Sequence, residues 1–153
     1  MAIIKPNNNT LSSITALPAA IATGKVLQVQ TTNTSTKLAS TSTSFIASGI
    51  GLSVNITPSS TSNKIFVIAS TCISNSSNES YCTATLYRDS TNLGNSNLGM
   101  GTVWSTSGTP NFPMTMTVLD SPSSTSQLTY QVYFRAVGSV SYTHLTLPTT
   151  YSV

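Results

Sequence analysis

The sequence predicts an all-β fold, an antiparallel β-sandwich that is jelly-roll-like and carries an extended N-terminal arm. Short segments in which apolar and polar residues alternate are typical of half-buried strands. Turn-forming residues separate these segments at regular spacings, and the body of the chain contains no convincing helix pattern. Many short strands joined by turns favour a double-sheet sandwich or a jelly roll.

The pentapeptide Pro-Ser-Ser-Thr-Ser occurs twice, at 58–62 and at 122–126. Each copy follows an alternating run and precedes a longer apolar one, KIFVIASTCI in the first case and LTYQVYFRAV in the second. Proline fixes the backbone angle φ, and Ser and Thr hydroxyls bond to nearby backbone groups, so both copies predict a turn. We therefore predict two hairpins of the same design that close the sandwich.

The alternating runs give seven or eight strands. The predicted strands are 24–31, 44–57, 64–73, 81–89, 100–106, 112–119 and 128–137. Segment 44–57 is either one strand or two short ones broken at Gly49 and Gly51, where a bulge is expected. The polar segment 32–43 is predicted to be a loop, and 90–101 is the longest turn-rich stretch.

The chain divides into three regions. Residues 1–24 predict an extended arm that docks onto a larger assembly, with a disordered leader as the alternative, and residues 25–139 form the sandwich. The string VSYTHLTLPT at 140–149 resembles the translation of a transposase adapter used in shotgun sequencing libraries. We therefore predict that 140–153 is an artefactual tail on a metagenomic sequence, which replaces a natural closing strand. The alternative is a genuine strand around 144–147.

Charge is sparse, at 6% of residues, and the formal net charge is +3. The Lys and Arg residues are scattered along the chain, whereas nucleic-acid binding relies on clustered ones. The sequence shows no secretion signal and no window approaching the roughly 20 apolar residues of a membrane span. We therefore expect synthesis in the cytosol and neither nucleic acid nor membrane as a partner.

Catalytic chemistry is not expected, because catalysis brings titratable groups together. The chain has three carboxylates and one His. Glu79, Asp89 and Asp120 lie at predicted strand ends or in a turn, where acidic residues are common. We predict no enzyme activity, no catalytic residues, no metal site and no cofactor.

Cys72 and Cys82 are placed symmetrically about the turn between two predicted strands, so a hairpin there would bring them directly opposite each other. A cross-strand disulfide is then one alternative. Reduced, partly buried thiols are the expectation for a protein made in the cytosol.

Trp104 is the single tryptophan and follows a loop rich in Asn and Gly. One interpretation is a core aromatic residue on a short strand. The other is a platform on which a sugar stacks, with Asn95 and Asn97 as neighbours that donate and accept hydrogen bonds. The candidate ligand-binding residues are therefore Asn95, Asn97 and Trp104.

Most of residues 7–139 resembles a group of virion structural proteins from marine tailed phages. The resembling segments are NNNTLSSITALPAAIATGKVLQV, TSFIASGIGLSVNITPSSTSNKIFVIAS, LYRDSTNLG and LDSPSSTSQLTYQVYFRAVGS. The resemblance implies a jelly-roll-like knob, a homotrimer, behind a short docking segment that contacts other virion proteins. It also implies a location in the virion.

Three hypotheses of function follow. The first is a tail-fibre or receptor-binding knob that contacts host-surface polysaccharide, where several weak sites on one fibre would bind by avidity. The second is a head-decoration protein that cements the capsid. The third, from another class, is a non-viral carbohydrate-binding module.

Overall fold

The computed structural model describes residues 26–49, 51–75, 80–106, 111–137, 141–144 and 148–152, and the predicted arm at 1–24 lies outside them. All regular structure in this part of the chain is β-strand. The strands are β1 (Gln28–Thr31), β2 (Lys37–Ser40), β3 (Ile46–Ala47), β4 (Ser53–Ile56), β5 (Ile65–Asn75), β6 (Ser80–Arg88), β7 (Thr91–Asn92), β8 (Gly101–Ser105), β9 (Asn111–Asp120), β10 (Leu128–Val137), β11 (Ser141–His144) and β12 (Pro148–Ser152). The all-β prediction is confirmed.

The described strands form two antiparallel sheets. In sheet A, β11 and β12 lie along one side of β5, with β2 and β1 beyond them, and β9 lies on the other side of β5. In sheet B, β3 and β4 lie along one side of β10, and β6 lies on the other side, with β7 and β8 beyond it. The short strands β1 and β2, β3 and β4, β7 and β8, and β11 and β12 can each be counted as one strand. The structure then has eight strands, numbered 1 to 8 along the chain, in the order 1-8-3-6 in sheet A and 2-7-4-5 in sheet B. This is the strand order of a jelly roll.

The core lies between the inner faces of the two sheets. Strand β10 alternates strictly between buried and half-buried residues, as the period of two requires. With the exception of Ala136, the buried apolar residues of both sheets belong to one cluster. It includes Ile65, Val67, Ala69 and Ile73 of β5, Met116 of β9, Cys82, Ala84 and Leu86 of β6, and Leu128, Tyr130, Val132 and Phe134 of β10. The two sheets therefore pack face to face as a sandwich.

Both copies of the pentapeptide are corners between sheets, so the predicted hairpins are wrong. Strand β4 lies in sheet B and β5 in sheet A, while β9 lies in sheet A and β10 in sheet B. The register pairs Ile56 with Leu128, and Ile65 with Asp120. The two corners, residues 57–64 and 121–127, therefore lie side by side at one end of the sandwich, which we call the corner end.

The hairpin predicted between the strands of Cys72 and Cys82 is also wrong. Strand β5 belongs to sheet A and β6 to sheet B, so the chain crosses between the sheets here as well. Cys72 pairs with Pro113, and Cys82 pairs with Ala136. Both cysteines are thiols, as expected.

The structure answers two further strand predictions. Segment 44–57 is two strands, and between them Gly49 and Gly51 adopt φ angles of 62° and 83°, which favour glycine. The predicted loop at 32–43 is wrong in part, because β2 lies within it and pairs with β11. Leu38 of β2 contacts the core, and this single anchor explains why a polar segment becomes an edge strand.

The C-terminal strands β11 and β12 occupy the eighth position of the jelly roll, between β5 and the first strands of sheet A. A natural chain is predicted to place its closing strand in this position. The origin of residues 140–153 as an artefactual tail stays a prediction. The fold shows where a closing strand has to lie.

Candidate functional site

The outer face of sheet B carries a group of aromatic residues. Because side chains alternate along a strand, the residues between the core positions of β6, β8 and β10 all point to this face. Tyr81 and Tyr87 belong to β6, Trp104 to β8 and Tyr133 to β10, and Phe45 directly precedes β3. Aromatic side chains are large and apolar and usually lie in a core or an interface, so a group of them on an outer face is a candidate binding surface.

Trp104 is exposed, so its interpretation as a core residue is wrong. Its side chain is 53% exposed, whereas its neighbours Val103 and Ser105 are buried. It pairs with Tyr81 across β6 and β8, and the two rings stack with centroids 5.9 Å apart and planes inclined by 26°. The Trp104–Tyr81 pair therefore presents a broad apolar surface to solvent.

The loop at 93–99 is held in shape by Asn95. The backbone groups of Asn95 and Gly99 exchange two hydrogen bonds. The Asn95 Oδ1 atom accepts hydrogen bonds from the backbone N–H groups of Asn97 and Leu98, at 2.8 and 2.9 Å. The side-chain oxygen predicted to face a ligand thus stabilises the loop itself.

This loop lies flat on the outer face of β6. The Met100 N–H donates to the Ala84 carbonyl at 2.8 Å. Thr83 and Thr85 are fully buried, although they point away from the core. A Cβ atom at Gly99, where φ is +57°, would collide with the Ala84 carbonyl oxygen, so only glycine allows this close approach.

The three predicted site residues lie on one surface but do not form one hydrogen-bonded group. Asn95 and Asn97 belong to the loop, and Trp104 lies three residues after Gly101 on β8, about 10 Å along the strand. The Thr102 hydroxyl donates to the Leu98 carbonyl at 3.1 Å and so connects the loop to the strand of Trp104. All three predicted residues are exposed, and the Asn95 side-chain oxygen is engaged within the loop.

A second group on the same face was missed as a site. The Arg135 guanidinium carbon lies 5.1 Å from the centre of the Phe45 ring, and Arg135 Nη2 donates to the Asn97 carbonyl. The rings of Tyr87 and Tyr133 stack with centroids 3.9 Å apart. The alternation of LTYQVYFRAV places Tyr133 and Arg135 on one face, which was the available signal. The alternation alone does not place Phe45 beside them.

A polar cluster at the corner end joins the two sheets. Arg88 Nη1 of sheet B donates to both carboxylate oxygens of Asp120 of sheet A, at 2.8 and 2.7 Å. The Tyr130 hydroxyl donates to Asp120 Oδ2 at 2.5 Å. Burial raises the pKa of Tyr130 far above its ordinary value, and the neighbouring Asp120 carboxylate raises it further. The hydrogen bond to Asp120 raises the pKa of Arg88 as well.

The carboxylates do not form a catalytic pair in the part of the chain that the structure describes. Asp120 is engaged by Arg88 and Tyr130, whereas the exposed Asp89 accepts a hydrogen bond from the Thr129 N–H at 2.9 Å. Glu79 lies outside the described residues. Among the described residues no group of His, Cys, Asp and Glu could hold a metal ion.

A pocket of about 180 Å³ lies beside the first corner and is lined by Leu27, Gln28, Ile56, Thr57, Pro58, Ser59, Asn63, Lys64 and Ile65. Lys64 is the one charged side chain in this lining. At this volume the pocket is smaller than a typical small-molecule site, which encloses roughly 300–1,000 Å³.

No family model and no curated protein matches the chain. A search of the described residues for helices long and apolar enough to cross a membrane finds none.

Proposed function

We propose that the chain is a recognition domain without catalytic activity, a tail-fibre or receptor-binding knob of a phage virion that contacts a host-surface glycan. The observation that carries the proposal is the stacked Trp104–Tyr81 pair on the outer face of sheet B, in which Trp104 is exposed and Tyr81 is half-buried. The face of an aromatic ring is electron-rich. It attracts the C–H groups on the apolar face of a sugar ring.

The energetics favour a binding role for this pair. A tryptophan contributes to folding by leaving water, and Trp104 keeps about half of its surface in water. A stacked cross-strand pair contributes roughly 0.2–1 kcal/mol to a sheet, which is less than a buried tryptophan would contribute. A ligand that covers the rings would remove this remaining apolar surface from water, which favours binding.

The virion setting rests on the resemblance to phage structural proteins and on a fold-level analogy. Jelly rolls occur in viral capsid proteins and in lectins, although a fold by itself does not define a function. In this setting the chain is made in the host cytosol and forms a homotrimer, and residues 1–24 dock it onto other virion proteins. Light scattering of the purified full chain tests the trimer, and a monomeric mass would exclude it.

The glycan-binding proposal is tested by fluorescence, because Trp104 is the single tryptophan of the chain. The probe is a panel of immobilised and soluble bacterial polysaccharides. We expect a binding glycan to shift Trp104 emission to shorter wavelength. Retention on the immobilised glycans, which needs no tryptophan, measures the variants. There we expect Trp104→Ala to weaken binding roughly tenfold, since a stacked aromatic contributes about 0.5–1.5 kcal/mol beyond the apolar area it covers.

The matched control is Leu119→Ala, which removes a 55% exposed apolar side chain from sheet A. This variant should bind like the unchanged protein. A folded Trp104→Ala variant with full affinity would overturn the site. Failure of the unchanged protein to bind any glycan, combined with binding to purified capsids, would favour the head-decoration alternative.

A further inference from the structure

We propose that the glycan bound on the outer face of sheet B is acidic, and that Arg135 binds its carboxylate or sulfate group. This inference rests on the proposed function and specifies the ligand class of the same surface. It concerns a residue outside the predicted site of Asn95, Asn97 and Trp104.

Arg135 is held in a fixed position on this face. Its Nη2 atom donates to the Asn97 carbonyl, and the Phe45 ring lies 5.1 Å from its guanidinium carbon. A guanidinium held by an aromatic ring and a backbone carbonyl loses little further freedom when it binds a ligand. Arginine carries five N–H donors, and a single one is used by the Asn97 carbonyl. The buried Nε atom has no partner among the described residues.

The charge of Arg135 is not balanced by a carboxylate in the described part of the chain. Asp120 forms an ion pair with Arg88 at the corner end. Asp89 accepts its hydrogen bond from the Thr129 backbone. With a formal net charge of +3 in the chain as a whole, this face has a cation and no described anion to neutralise it. A carboxylate or sulfate offers the paired oxygens that a guanidinium binds best.

The position of Arg135 relative to Trp104 suits one extended ligand. Arg135 pairs with Thr83, Thr83 pairs with Thr102, and Trp104 lies two residues beyond Thr102. Two strand spacings and a two-residue step place the Cα atoms of Arg135 and Trp104 about 12 Å apart. A short oligosaccharide covers this span. Its one end would stack on Trp104 while an acidic group on another ring reaches Arg135 across the loop at 93–99.

The experiment compares glycans that share a backbone and differ in charge. One arm uses oligogalacturonates and their methyl esters, and the other uses sulfated and desulfated galactan oligosaccharides, with binding measured by Trp104 fluorescence. We expect the acidic member of at least one pair to bind roughly tenfold more tightly, as a charge-assisted pair provides. Added salt should reduce this preference.

Arg135→Gln keeps an N–H donor for the Asn97 carbonyl but removes the charge, and it should abolish the preference for the acidic member. Lys64→Gln removes the same charge at the corner end and should leave the preference intact. If Arg135→Gln does not fold, Phe45→Leu replaces it, because loss of the ring frees the guanidinium and should reduce the preference severalfold.

The outcomes separate the two proposals. If the unchanged protein binds charged and neutral members equally, the proposal that the glycan is acidic is overturned. The proposed glycan-binding function is unaffected by that result. A preference that survives both Arg135→Gln and Phe45→Leu overturns the role of Arg135. No binding to any member, together with no binding in the wider polysaccharide panel, removes the proposed function itself.

Discussion

The two corners share the sequence Pro-Ser-Ser-Thr-Ser, yet the chain folds differently through each of them. One feature is common: the Ser60 hydroxyl accepts from the Ser62 N–H at 3.3 Å, and the Ser124 hydroxyl accepts from the Ser126 N–H at 3.0 Å. The backbone conformation differs between the two copies. Ser123 adopts a φ of 51°, whereas its counterpart Ser59 does not adopt a positive φ. The pentapeptide thus determines one side-chain-to-backbone bond and little more.

The flanking residues account for the difference. In the first corner the Asn63 side chain donates to the Ser59 hydroxyl at 3.0 Å, and the Asn63 N–H donates to the Ser60 carbonyl at 3.1 Å. The second corner has Gln127 in the place of Asn63, and β10 begins one residue earlier. A shorter connection has to turn more sharply, which a residue with positive φ achieves.

The residue two positions before the proline differs most. In the first corner it is Ile56, which is 2% exposed within the core. In the second it is Asp120, which binds Arg88 and Tyr130 of the opposite sheet. The first corner is therefore anchored by apolar packing, and the second by an ion pair that joins the sheets.

The largest expected effect comes from breaking this ion pair. We expect Asp120→Ala to lower the free energy of unfolding by about 3 kcal/mol, because it leaves Arg88 and the Tyr130 hydroxyl largely buried without their partner. Urea unfolding measures the change.

The double variant Arg88→Met/Asp120→Ala is the control. It should recover part of the loss, since neither charge remains. A double-mutant cycle with a coupling energy near zero would show that the pair contributes no more than an exposed one.

The free energy of unfolding should also fall at alkaline pH, because Tyr130 lies beside the second corner and has a raised pKa. The folded state holds the pKa of Tyr130 far above its ordinary value of 10.0, so near pH 10 the unfolded chain loses this proton while the folded chain keeps it. The stabilisation is therefore complete below about pH 10, and above it the free energy of unfolding falls by up to about 1.4 kcal/mol per pH unit. Unfolding midpoints between pH 8 and 11 should fall more steeply for the unchanged protein than for Tyr130→Phe. Equal slopes would contradict the assignment.

The smallest effect distinguishes the backbones of the two copies. Ser123→Gly should be neutral or slightly stabilising, because glycine adopts positive φ without the cost of about 1 kcal/mol that other residues bear. Ser59→Gly should destabilise by about 1 kcal/mol, since it loses the bond from Asn63 and adds freedom to the unfolded chain. Thermal unfolding of the two variants side by side measures the difference. Identical shifts would mean that the corners are equivalent.

Much of the strand content could be predicted from the sequence. The strand predicted at 128–137 has the observed bounds, and the one predicted at 64–73 begins one residue before β5 and ends two residues before it ends. Strand β2 was missed because its four residues contain one apolar anchor, Leu38. The sequence left Trp104 open between a core position and a sugar-stacking platform, because Val103 and Trp104 are both apolar and alternation does not say which of two neighbours faces inward.

The sequence by itself determined where the longer strands of the body run, which of their residues share a face, and that each Pro-Ser-Ser-Thr-Ser bends the chain. These properties depend on period-two alternation and on hydroxyl-to-backbone bonds that act within a few residues. Only the tertiary structure decided that the bends join different sheets, that Asp120 meets Arg88, and that Arg135 and Trp104 share a surface. Those outcomes depend on the pairing of strands that are distant in the chain, and an alternating strand fits a hairpin or a corner equally well until its partners are in place.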